Sequence, residues 1–135
     1  TDIVRNFENV NATRYDDIVA GNAGANVLNG LTGTDTVSYY SVGQGVTINL
    51  LTGTAVSGGV TDTLLNFENV NGSAYADNIT GDGGANVLNG YGGIDTLTGG
   101  GGFDTFEFRA GFASGGVITD ELQFRRAGPI RPFRR

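Results

Sequence analysis

The chain has 135 residues and a net charge of −6, with 24 glycines, two prolines, no cysteine and no histidine. Those absences exclude a thiolate or imidazole zinc centre, a Ser-His-Asp triad and a disulfide framework, so any bound metal must be a hard ion held by oxygen. The length suits one domain or a pair of modules sharing a core, the aperiodic glycine excludes collagen, and no apolar run approaches the roughly 20 residues of a membrane span.

Charge is unevenly spread. All fourteen acids and three arginines (Arg5, Arg14, Arg109) fall within residues 1–124, five arginines and no acid fall within 125–135, and lysine is absent. So acidic a body disfavours nucleic acid as a partner. It also repels itself on compaction unless a cation neutralises it. The first residue is threonine, so a precursor or a larger parent protein is expected, and no signal peptide is visible.

Taken in chain order, residues 3–47 divide into nines. Position six of each nine is Glu8, Asp17, Asn26, Asp35 and Gln44, and position eight is Val10, Val19, Leu28, Val37 and Val46. Residues 1–47 are therefore expected to form a first set of coils, each unit ending in a three-residue strand centred on position eight. An insertion follows at 48–62, where the alternation of Val46-Thr47-Ile48-Asn49-Leu50 predicts a half-buried strand. The frame returns over 63–107, with Glu68, Asp77, Asn86, Asp95 and Asp104 at position six and Val70, Ile79, Leu88, Leu97 and Phe106 at position eight. Residues 108–124 are expected to cap the array, and the arginine-rich 125–135 to be a flexible end. Residues 1–39 and 61–99 align without gaps at an offset of 60, with 21 of 39 positions identical, which signals a repeat array.

Each nine pairs a short strand with a glycine-rich turn whose backbone can take positive φ. Two nines complete one coil of a flattened helix of strands, and coils stack about 4.8 Å apart. Stacking then sets Asp77 against Asp95 and Asp17 against Asp35, with the carbonyls of the glycine turns facing the same gaps. Bare carboxylates at that distance repel. Calcium removes the conflict, since it takes six to eight oxygens at about 2.3–2.6 Å and accepts carbonyls, whereas magnesium gives up water reluctantly.

The units GYGGIDTLT (90–98) and GGGGFDTFE (99–107), with GDGGANVLN, GLTGTDTVS and the looser GNAGANVLN, resemble the RTX, or hemolysin-type, calcium-binding nonapeptide repeat G-G-x-G-x-D-x-U-x. The resemblance covers roughly residues 1–120. It implies an all-β fold, a right-handed parallel β-roll or β-helix solenoid, with calcium between turns n and n+2. The upper turn would give carbonyls from positions two and four plus its carboxylate, and the lower turn carbonyls from positions one and three plus its own. Carried over, the sites are Thr13, Tyr15 and Asp17 with Gly30, Thr32 and Asp35; Ser73, Tyr75 and Asp77 with Gly90, Gly92 and Asp95; and Asp82, Gly84 and Asn86 with Gly99, Gly101 and Asp104. Asn26 and Asn86 keep an oxygen but lose a charge. Glu8 and Glu68 stand in turns without glycine, and each is expected to reach Asn26 or Asn86 and close a half-site. Gln44 and Ala113 offer no carboxylate, so sites ending there are expected to be empty. About three good sites and two poorer ones result.

The resemblance further implies a non-catalytic module of a secreted bacterial protein, exported by type I secretion and acting as spacer, folding trigger or surface scaffold. The alternatives are the C-terminal module of a secreted protease, lipase or polysaccharide epimerase or lyase, and a calcium-dependent adhesion or self-assembly module. Polysaccharide or cell-surface contact and end-to-end self-association belong to those alternatives. Asn29 and Asn89 are expected to form ladders along the coil edge, while ligand and ladder roles stay open for Asn26 and Asn86. Tyr39, Tyr40 and Tyr91 are expected to cover core edges rather than to stack on sugars, and Asp2 and Asp62 to act in turns or caps.

Overall fold

Position eight holds an aliphatic residue with polar or small neighbours, and in the fold that pattern becomes a wall of three-residue strands with one side chain inward. The computed structural model describes residues 1–5, 7–107 and 117–119. In the first half the strands are β1 (Ile3–Arg5), β2 (Asn9–Asn11), β3 (Ile18–Ala20), β4 (Val27–Asn29) and β5 (Thr36–Ser38). The insertion supplies β6 (Thr47–Asn49), β7 (Thr54–Ser57) and β8 (Val60–Leu65). The second half adds β9 (Asn69–Asn71), β10 (Asn78–Thr80), β11 (Val87–Asn89), β12 (Thr96–Thr98), β13 (Thr105–Glu107) and β14 (Val117–Thr119).

Successive nonapeptide strands alternate between two sheets, so strands 18 residues apart become parallel neighbours: Val19 pairs with Val37, Ile79 with Leu97 and Leu88 with Phe106. The first sheet runs β1-β3-β5-β9-β11-β13 and the second β14-β12-β10-β6-β7-β8-β4-β2. This is an all-β, largely parallel β-roll. The central residues Val19, Leu28, Val37, Ile48, Ile79, Leu88 and Leu97 are fully buried and form one core strip between the sheets. Among the described residues no helix is long and apolar enough to cross a membrane.

The two halves are related by more than sequence. β2 to β5 correspond to β9 to β12 at the offset of 60, yet β3 and β5 lie in the first sheet while β10 and β12 lie in the second. Each repeat contains an odd number of half-coils, so the second copy presents the same residues on the opposite edge.

The insertion sits wholly in the second sheet. β8 lies parallel on β4, with Leu28 opposite Leu64; β7 is antiparallel to β8 and to β6, and β6 lies parallel to β10, with Ile48 opposite Ile79. The first sheet meanwhile continues unbroken from β5 to β9, with Val37 opposite Val70. The second sheet thus holds two more strands than the first among the described residues. Tyr39, Ala55 and Phe67 join the core here, with Val42 and Leu50 partly buried against it.

Two features depart from the nine-residue frame. Residues 66–68 make a turn of only three residues between β8 and β9, with Asn66 at φ 57°. The frame also slips by two before β6, because the longer turn after Tyr39 (Val42 N donates to the Tyr39 carbonyl) places Ile48 at the strand centre. Val46, rather than Gln44, therefore stands at position six. The expected cap, including Ala113, and the arginine-rich tail lie outside the described residues except for Val117–Thr119.

Candidate metal sites along the edges of the roll

Position six immediately precedes each strand, so parallel stacking lines these residues up along both edges. A repeated bond marks the ladder: the backbone N–H at position six donates to the carboxylate one coil further on. Asp17 N–H reaches Asp35 Oδ1 at 2.8 Å, Asp77 N–H reaches Asp95 Oδ1 at 2.9 Å and Asn86 N–H reaches Asp104 Oδ1 at 2.9 Å. The first two pairs are those expected from the spacing and the third the one implied by the resemblance, and all six side chains are buried.

The turns fall into two kinds. In those at 12–17, 21–26, 72–77 and 81–86, a polar side chain at position two folds onto position six. The Thr13 hydroxyl donates to Asp17 Oδ2 and the Ser73 hydroxyl to Asp77 Oδ1, both at 2.7 Å. Asn26 Nδ2 donates to Asn22 Oδ1 at 3.0 Å and Asn86 Nδ2 to Asp82 Oδ1 at 3.1 Å. Hydroxyls meet carboxylates and amides meet amide or carboxylate oxygens, so donor matches acceptor in each turn. These position-two side chains were expected to supply only carbonyls, and Asn22 was not expected at all; a polar residue at position two of a turn was the available signal.

The turns at 30–35, 90–95 and 99–104 lack that polar side chain. They take positive φ at positions two and four: Leu31 and Gly33, Tyr91 and Gly93, Gly100 and Gly102. Each lies on a turn of the first kind so closely that a Cβ on Gly33, Gly93 or Gly102 would come within 2.9 Å of the peptide of Tyr15, Tyr75 or Gly84. The carbonyls of Tyr15, Tyr75 and Gly84 therefore lie where the two turns meet. The Asp82 carbonyl accepts from Gly101 N–H at 2.8 Å.

In the turns at 30–35 and 90–95 the carboxylate is incompletely served. Asp35 Oδ2 and Asp95 Oδ2 are buried and receive no hydrogen bond. Each folds back towards its own position-one glycine, so that a Cβ on Gly30 or Gly90 would fall 2.7 or 2.3 Å from that oxygen. Burial pushes the carboxyls of Asp35, Asp77 and Asp95 above their ordinary range, and the charge of Asp77 adds to the effect at Asp95. Asp17 moves the other way, held below its ordinary value chiefly by the Thr13 hydroxyl. A buried, ionised oxygen without a donor is costly unless a cation meets it. Among the described residues no three acidic side chains gather at one point, so oxygens other than carboxylates must complete any cage.

The family comparison agrees with that chemistry. The model of the RTX calcium-binding nonapeptide repeat matches in four copies over residues 7–38 and 69–106, more than half of the chain. The chain belongs to the RTX calcium-binding repeat family. Its RTX repeats are a calcium-binding module, and the donor sets fit the ion: hard carboxylate and carbonyl oxygens with unpartnered buried oxygens among them. No match among curated proteins is found.

Other expected residues are placed as follows. Glu68 lies between Asp35 and Asn86, but its carboxylate turns to Asp35, whose N–H it accepts at 2.8 Å; only its carbonyl meets Asn86 Nδ2. Glu8 lies below Asn26, and its carbonyl accepts from Val27 N–H. Asn29 does form a ladder, giving to Asn11 Oδ1 and accepting from Asn66 Nδ2, whereas Asn89 gives to Glu107. Tyr39 is buried in the core, and Tyr40 packs against Tyr91 with ring centroids 4.7 Å apart. Asp62 departs most from expectation. It is buried inside β8 rather than in a turn or cap, because Asp62-Thr63-Leu64 repeats the spacing of Asp95-Thr96-Leu97.

Proposed function

We propose that the chain is a calcium-folded, non-catalytic module of a secreted bacterial protein, with calcium held in three gaps. The first is Thr13, Tyr15 and Asp17 against Gly30, Thr32 and Asp35. The second is Ser73, Tyr75 and Asp77 against Gly90, Gly92 and Asp95. The third is Asp82, Gly84 and Asn86 against Gly99, Gly101 and Asp104. The observation that carries this is the buried, donor-free Oδ2 of Asp35 and of Asp95, each folded against a position-one glycine, Gly30 or Gly90, that has no room for a Cβ. Calcium there would neutralise the stacked carboxylates and draw together turns that cannot order themselves. Gaps at Glu8 with Asn26 and Glu68 with Asn86 rank lower, since the turns that hold Glu8 and Glu68 contain no glycine and the Glu68 carboxylate is spent on Asp35.

Extracellular calcium modules bind at roughly 10⁻⁴–10⁻³ M. Such a chain stays unfolded in a calcium-poor cytoplasm, suits type I export and folds outside, where it serves as spacer, folding trigger or scaffold. Isothermal titration calorimetry tests the assignment. Calcium should bind with about three strong sites and magnesium far more weakly, and Asp95→Ala should remove one ion and raise the midpoint of the rest. No heat on adding calcium, or an unchanged ion count in Asp95→Ala, would count against it.

A further inference from the structure

One gap in the ladder is built differently, at the junction where the insertion enters the second sheet. Asn26 N–H donates to Asp62 Oδ1 at 2.8 Å, the same bond that joins the rungs at Asp17/Asp35 and Asp77/Asp95. The strands agree, with Val27 opposite Thr63 and Leu28 opposite Leu64. Asp62 is thus the position-six residue of the coil above Asn26, and the ladder would put a cation between them.

The oxygens of this gap are already spoken for. Asp62 Oδ2 accepts the Tyr39 hydroxyl at 2.7 Å, and both groups are buried, at 6 % and 5 % exposure. Asn26 is engaged with Asn22 just as Asn86 is with Asp82, so the difference between the gaps lies in Asp62. Asp35 and Asp95 each keep a bare oxygen at the equivalent point; Asp62 does not.

Half of the cage is also of a different kind. Asp62 is reached through the tight hairpin between β7 and β8, with Ser57 opposite Val60 and positive φ at Gly58 and Gly59. It is not reached through a glycine nonapeptide turn. Over the turn at 21–24, where a stacked turn would bring its carbonyls, there is instead a cleft of about 430 Å³ lined by Asn22, Gly24, Gln44 and Gly58 among others. Only one carboxylate faces the gap, because its partner is asparagine. Two charge-assisted donors, one N–H and one buried O–H, serve a single carboxylate well.

We infer that Tyr39 takes the place of a cation at the Asn26–Asp62 gap, so that the junction of the two halves is closed by a side-chain hydroxyl while the gaps at Asp17/Asp35, Asp77/Asp95 and Asn86/Asp104 take calcium. This rests on the calcium reading of those other gaps. It makes Tyr39 a residue that sets the ion count of the roll, although it lies outside every nonapeptide motif.

The test uses the full chain and three variants. In calorimetric calcium titrations Asp62→Asn should keep the wild-type number of ions, with its midpoint within about twofold, whereas Asp95→Asn should lose one ion. Tyr39→Phe should also keep the count. It strands a buried carboxylate oxygen, however, and should lower the Tm by roughly 4–8 °C, a loss that tenfold more calcium does not restore. Loss of an ion in Asp62→Asn, or an unchanged Tm in Tyr39→Phe, would overturn the proposal. The two readings fail separately: a wild type that takes up no calcium overturns the reading of the other gaps, whereas an ion lost in Asp62→Asn or an unchanged Tm in Tyr39→Phe overturns this one.

Discussion

Gly93 shows what a single position contributes. Its φ is 104°, and a Cβ there would sit 2.5 Å from the Tyr75 carbonyl carbon and the Ala76 nitrogen of the turn below. Gly93→Ala therefore combines backbone strain with a clash against backbone that cannot yield. A loss of about 2–3 kcal/mol is expected in chemical unfolding of the calcium-loaded chain. Gly83 is the contrast, since nothing lies within 4 Å of its Cβ position and its φ is not positive. Gly83→Ala should be neutral or stabilising by up to about 1 kcal/mol. Equal losses in the two variants would show that the close contact between turns does not govern stability.

At the scale of the strands, burial is one residue wide. Leu88 at the centre of β11 is fully buried, while Val27 at the start of β4 is 43 % exposed. Leu88→Ala should cost about 2–5 kcal/mol and Val27→Ala well under 1 kcal/mol in denaturant titrations with calcium saturating. Much of this was legible in the sequence, because D-x-aliphatic at a period of nine fixes both which residue faces inward and which carboxylates stack. Position six of the Asp17/Asp35 and Asp77/Asp95 pairs and position eight of the regular units follow from that alone, while Asn86/Asp104 comes from the resemblance. The insertion was less legible. The pairing of β6 with β10 and of β8 with β4 joins segments whose register is set by tertiary contacts, and the two-residue slip before Ile48 depends on Tyr39 turning into the core. Phe7 and Phe67 make the same point. The phenylalanine is identical in sequence context, yet 58 % exposed in the first copy and 5 % exposed in the second, where β8 and β9 stack on the preceding coil.

Over the whole molecule the fold is a narrow core flanked by two rows of acids, and its stability must answer to charge. The raised carboxyls of Asp35, Asp77 and Asp95 contribute stability that is complete below their unfolded value of 3.8 and is lost as pH rises through their higher folded values. Asp17, held low, contributes in the opposite sense, above 3.8 and lost as pH falls through its folded value. The raised groups predict that the chelated chain gains strand content as pH falls from about 7 towards 4, with Asp17 opposing. A chelated chain that loses strand signal over that range would contradict it. With calcium in the proposed gaps, ion and protons would compete for the same carboxylates, and the ion should matter most near neutrality. The most direct measurement is far-ultraviolet circular dichroism of the chain at neutral pH, with calcium saturating and after exhaustive chelation. The account predicts a strand spectrum that collapses to that of a coil on chelation and returns when calcium is restored. A strand spectrum and melting curve that survive chelation unchanged would contradict it.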